Sequence, residues 1–298
     1  MDDELDKPVE LGDDDIAKLV EKKATCPFIG SAIAQGALPV RNSAADPLAR
    51  LEDVRTLGNS GGGDLGDLLV LFASGNHAFM RGSSGQLDQH VPAGLCSLAF
   101  PGSQGSHPGH SGILQGDPSV PDSGRFSADD FARLAALGRD GWIRRSDIGR
   151  FIADNLLRDP VALVFGTAVA RLLGSDLLAL AESAGTAWMR RIFGSDDGSR
   201  SAHRDMEEKL TRLLGQDNLV GSAGEFGLLF AFFANRPDAR EVDGEPALAV
   251  TDLQGMFIAK RLPDGWDTWK KKRIDWVTNT TALLVAAARE YLARKPRT

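Results

Sequence analysis

Cys26 stands directly before Pro27 in the run TCPFIGSAIAQGALP. Proline suits the first position of a helix, because the N–H it lacks would have no partner there. Cys26 then falls at the N-cap, with Phe28, Ile29, Ala32 and Ile33 forming an apolar helix that Gly36 and Pro39 end. A sulfur at this point faces the positive end of the helix dipole and the free N–H groups of Phe28 and Ile29, and both favour thiolate over thiol. A thiolate is a nucleophile or a metal ligand; the same residues also read as a buried structural cysteine. A second candidate is Glu225, the one carboxylate between residues 219 and 234, in the apolar run GSAGEFGLLFAFFAN. On a helix it shares a face with Leu229 and Phe232. Apolar surroundings disfavour its charge and raise its pKa, which suits a group that takes up and returns a proton. A glutamate that reaches the surface is the alternative. A third candidate is the loop QGDPS at 115–119, whose glycine, aspartate and proline are also ordinary turn residues.

The run CPFIGSAIAQGALP resembles the opening signature of the haem-thiolate peroxidases, the family of chloroperoxidase and the unspecific peroxygenases. Cys26, Pro27, Gly36, Leu38 and Pro39 stand at the matching spacing. Thr25 replaces the family's usual proline, and Ala34-Gln35-Gly36 stands where Asn-His-Gly is common. QGDPS is similar to the family's Glu-Gly-Asp or Glu-His-Asp motif, with a serine two residues after the aspartate. GEFGLLFAFF matches the buried helix that carries the family's acid–base glutamate, and FIAKRLPDGW matches a late packing landmark. The resemblance runs in patches from about residue 25 to 290.

The resemblance implies a b-type haem with Cys26 as axial ligand, the Pro27, Phe28 and Ile29 segment beneath it, and Glu225 on the opposite side. It implies hydrogen peroxide and a small apolar organic molecule as substrates. It assigns Gln115, Gly116 and Ser119 to a magnesium ion beside a haem propionate. Gln115 offers a neutral carbonyl where the family has a carboxylate, which weakens a magnesium site and leaves the ion open. The partner of the family's glutamate is either an arginine seven residues before it, here Asn218, or the histidine of Glu-His-Asp, here Gly116. His107 and His110 precede QGDPS and offer a substitute. Cys96, between His90 and His107, reads as a buried thiol or a rival ligand. Alternative functions are a haem-thiolate protein with isomerase, dehydratase or specific oxidase chemistry, and a haem-free binding protein.

The elements that position these residues are mostly helical. Helical patterns cover SADDFARLAALG, SDIGRFIADNLLRD, ALVFGTAVARLLG, DLLALAESAGTAWMRRIFG, RDMEEKLTRLLG, TDLQGMFIAKRLPDG and TNTTALLVAAAREYLARK. Ser127 and Ser146 are the expected N-caps of the first two. The expected fold is a mostly α multi-helix single domain around a haem, with an acidic tail over 1–20 and the domain over 21–298. Residues 55–127 are rich in Gly, Ser, Pro and Asp, with apolar islands at 68–73 and 91–100, and are expected to wrap irregularly around something.

Several signals carry less. GRDGWIRRSD has an EF-hand flavour, but Ala136 and Gly138 would fill two ligand positions, so it reads as a linker between helices. LGNSGGGDLG lacks the lysine and the preceding strand of a phosphate loop and reads as flexible. KKKRIDW reads as a solvated basic face. A net charge of −7, with no dominant basic face, argues against a nucleic-acid footprint. No stretch reaches the length of a membrane span. The start MDDELDKPVELGDDD lacks the basic end and apolar run of a secretory signal, so a cytoplasmic protein is expected.

Overall fold

The computed structural model describes residues 7–24, 26–73, 94–98, 114–115, 125–158 and 218–294. Among them the fold is mostly α. The helices are α1 (Asp13–Lys22), α2 (Pro27–Ala34), α3 (Leu51–Gly58), α4 (Gly66–Ala73), α5 (Ala128–Ala135), α6 (Arg145–Arg158), α7 (Asn218–Phe233), α8 (Val250–Phe257) and α9 (Arg273–Arg294). Three small antiparallel sheets accompany them: β1 (Arg41–Asn42), β2 (Pro47–Arg50) and β3 (Leu95–Ser97); β4 (Leu114–Gln115) with β5 (Arg125–Phe126); and β6 (Trp142–Arg144), β8 (Glu245–Ala249) and β7 (Arg240–Val242), in that order. The expected helices over 162–174, 176–194 and 204–215 lie outside the described residues.

The centre of the molecule is α7, flanked by α9 and by α6. An all-apolar helix is stable only when covered on all sides. Accordingly Ala223, Phe226, Leu229, Phe230, Ala231, Phe232 and Phe233 are buried. The contact with α9 is close because α7 presents Gly227: a Cβ there would meet the Thr280 hydroxyl at 2.0 Å. Gly227→Ala therefore pushes the two helices apart. The expected loss is about 1–3 kcal/mol, the usual cost of overpacking, read as a lower denaturation midpoint. Adding Thr280→Ala should restore part of it, and full additivity of the two losses would show that the helices do not meet here.

Four local readings are corrected. Ser127 caps α5 as expected, its hydroxyl accepting from the Asp130 N–H. Ser146 does not cap α6; that helix starts at Arg145, and the Ser146 N–H is taken by the Glu245 carboxylate at 2.9 Å. The stretch read as a linker between helices holds a strand, because Asp140 and Gly141 turn with positive φ and bring Ile143 into register with Leu248. The glycine run read as flexible is a clasp: the Asp64 N–H donates to the Lys271 carbonyl at 2.8 Å, and the Asp64 carboxylate accepts from the Arg273 N–H at 2.6 Å. Gly61, at φ +67°, lies so close to Trp269 that a Cβ would sit 2.3 Å from its carbonyl oxygen. The basic face is corrected with it: Lys271 is 1% exposed.

Candidate active site

The cysteine helix forms where its residue types place it. Pro27 is the first residue of α2, Cys26 is its N-cap, and Gly36 turns the chain away at φ +69°. Phe28, Ile29, Ala32 and Ile33 are buried. Two long-range hydrogen bonds tie α2 down. The Ser31 hydroxyl donates to the Met256 carbonyl at 3.2 Å, and the Gln35 side chain accepts from the Leu262 N–H at 2.9 Å. Gln35, at the position where the resemblance has a histidine, is thus a tether to the FIAKRLPDGW segment.

Cys26 is half-buried and unpaired with Cys96. Its sulfur makes no full capping hydrogen bond, but the N–H groups of Ile29 and Phe28 lie close enough to favour a thiolate. Burial outweighs them and pushes the thiol up to about 11. Glu225 adds to that rise, and Lys260 opposes it. A positive centre beside the sulfur would reverse the balance.

Glu225 stands on α7, two turns after Asn218, the first residue of that helix. Burial pushes its carboxyl up to about 8. Between Ser222 and Phe233, only Glu225 and Leu228, one turn apart, keep part of their surface open. The phenylalanines of this helix are core residues, not an open channel wall: Phe226 is 0% and Phe230 2% exposed. The Trp276 indole N–H donates to the Gly224 carbonyl at 3.0 Å, and so fixes the backbone beside Glu225. The cysteine and glutamate helices touch directly: Phe28 packs edge-on against Phe232 with ring centroids 4.8 Å apart.

The structure therefore brings Cys26, Pro27, Phe28, Ile29 and Glu225 into one region, with Glu225 close enough to Cys26 for their charges to interact. Gln115 is described only as part of β4. Gly116, Ser119, His90, His107 and His110 lie outside the described residues. Cys96 is a buried thiol in β3, opposite Ala49, and burial pushes it up to about 12. Among the described residues no three His, Cys, Asp or Glu side chains gather as a metal site. No helix among them is long and apolar enough to cross a membrane.

Lys260 is the residue that sequence reasoning missed. It follows α8 with φ +50°, and its ammonium lies within electrostatic reach of Cys26 and Glu21. Burial lowers its pKa. It also lines a cleft of about 470 Å³ with Val20, Phe126, Phe257 and Ile258. No periodicity marks it, since it sits in a loop that only the tertiary fold carries to α2. No family model, curated protein or solved structure matches this chain.

Proposed function

We propose that the chain binds one b-type haem through Cys26 and acts as a haem-thiolate peroxidase or peroxygenase on a small apolar organic substrate. One observation carries this reading. A half-buried thiol at a helix N-terminus and a half-buried carboxyl on a neighbouring apolar helix lie in electrostatic reach of one another. The residues fit the group. Haem iron takes its equatorial ligands from the macrocycle and needs little more than one protein ligand. The sulfur meets N–H groups and the Lys260 charge, which favour its anion, yet burial keeps it protonated. A ferric iron bound to the sulfur would add the positive charge that reverses this balance.

When bound, the haem supplies the oxidising iron, and thiolate ligation favours O–O cleavage. The chain's own residues do the rest. Pro27 fixes the start of α2, and the N–H groups of Phe28 and Ile29 hold negative charge on the sulfur. Glu225 takes a proton from one peroxide oxygen and returns it to the other. Its raised pKa leaves it able to do both near neutral pH. Leu228 gives the open stripe of α7 an apolar surface for an organic substrate. Asn218 stands two turns before Glu225 on α7, at the position where the family has an arginine.

The test is to titrate the purified protein with ferric haem and then to add hydrogen peroxide and a phenolic dye. The expected outcome is stoichiometric uptake with a Soret band, followed by peroxide-dependent oxidation of the dye. Uptake without turnover would replace peroxide chemistry by an isomerase, dehydratase or specific oxidase role. Absence of uptake would leave a haem-free binding protein.

A further inference from the structure

Lys271 is a cation sealed inside the protein. It belongs to the segment between α8 and α9, and its ammonium donates to two carbonyl oxygens, of Trp266 at 2.6 Å and of Trp269 at 3.0 Å. Around it stand three aromatic rings, Phe232 at 5.3 Å, Trp266 at 5.4 Å and Trp269 at 5.4 Å from the nitrogen to the ring centroid. A desolvated ammonium held against ring faces is strongly attracted to them. No salt bridge to Lys271 is found among the described residues, so the rings and carbonyls carry its charge.

The same rings hold the two halves of the candidate site. Phe28, two residues after Cys26, packs edge-on against Phe232 at 4.8 Å and against Trp266 at 5.7 Å. Phe232 lies two turns after Glu225 on α7. Trp269 stacks edge-on against Phe232 and donates its indole N–H to the Phe232 carbonyl at 2.6 Å. The ammonium thus sits behind the rings that set the distance between the cysteine helix and the glutamate helix. We infer that Lys271 is a positioning residue for the Cys26–Glu225 pair: its ammonium clamps α2 to α7 through Phe232 and Trp266, and the clamp holds only while the nitrogen carries its charge. The inference rests on the reading of Cys26 and Glu225 as the site.

The charged surroundings support it. Burial is the main influence and brings the Lys271 pKa down to about 8, while Asp267 in the same segment partly holds it up. α2 carries no charged residue, and between Ser222 and Phe233 α7 carries only Glu225. Arg236 lies over Trp269 at 5.8 Å and is already paired with Asp252 and Asp238. The Asp64 carboxylate is engaged by the Arg273 N–H. Lys270 and Lys272 are exposed.

The test uses the full chain in a Glu225→Gln background, because Glu225 loses its proton in the same range. Near-ultraviolet circular dichroism of the haem-free protein is followed from pH 6 to 10, with Lys271 intact, as Lys271→Arg and as Lys271→Met. A transition near pH 8 is expected with Lys271 and should be absent from both variants. Haem transfer to apomyoglobin should be roughly tenfold faster at pH 9.5 than at pH 7, the scale of one desolvated cation–π contact. In Lys271→Arg it should stay slow at both. A transition that survives in Lys271→Arg, or none with Lys271 present, overturns the clamp. If the protein takes up no haem, the reading of the site fails while the dichroism still decides the clamp. If Lys271→Met does not fold, the comparison with Lys271→Arg decides alone.

Discussion

Cys26→Ala should abolish the strongly red-shifted Soret band of the ferrous–carbon monoxide complex, while Cys96→Ala leaves it in place. The shift is a property of the iron–thiolate bond, so it follows the sulfur that reaches the iron. Cys26 is half-buried at the start of α2, with N–H groups beside it and Glu225 within reach. Cys96 is enclosed in β3, where the Ala49 backbone and Arg55 favour its anion but burial outweighs them and pushes the thiol up to about 12. The cysteine side chain makes no full capping hydrogen bond, so its loss costs α2 little of the usual capping energy. The variant should remain folded, with its thermal midpoint near that of the parent. A red-shifted band that persists in Cys26→Ala would move the ligand to Cys96. A histidine-like band in the parent would remove thiolate ligation altogether.

Glu225→Gln should lower peroxide turnover by about 10²–10⁴-fold, the span typical of a lost general acid–base group. Glutamine keeps the volume and part of the hydrogen bonding and cannot accept the proton. The pH profile separates this from a packing effect. The carboxyl titrates at about 8, so the step that needs the free carboxylate should quicken as pH rises toward that value, and Glu225→Gln should be flat there. Stability should respond in the opposite direction. Between pH 4.5 and about 8 the folded protein holds a proton that the unfolded chain has released, so stability falls as pH rises through that window. The penalty is complete above pH 8, on the order of a few kcal/mol. The glutamine variant escapes it and should be the more stable protein at pH 8. Full activity in Glu225→Gln would remove the acid–base role.

The parts of this site that are legible in the sequence are the local ones. A proline fixes the start of α2, and uninterrupted apolar character marks α7 as buried; both follow from neighbours along the chain. The raised pKa of Glu225 follows from the same apolar run. Lys260 and Lys271 could not be read in this way. Each is a lysine in a polar loop, and only tertiary packing carries one toward Cys26 and seals the other behind three rings. The glycines at 61–63 misled for a related reason. Their composition fits a mobile loop equally well, and the constraint that requires glycine is a backbone more than two hundred residues away. The strand Trp142–Arg144 is short, and its partner lies beyond a long intervening stretch, so alternation alone could not reveal it.

That separation orders the birth of the molecule. Ser31 is tethered to Met256 across 225 residues, Leu262 to Gln35 across 227, and Asp64 to Arg273 across 209. Closing loops of this size consumes entropy before any contact rewards it, and such contacts form late. During synthesis the cysteine helix leaves the ribosome more than two hundred residues before the segments that tether it, and it waits for them to arrive. A chain halted before Lys271 would carry a complete cysteine motif and no assembled site, so the later-made residues act as a checkpoint on the earlier ones.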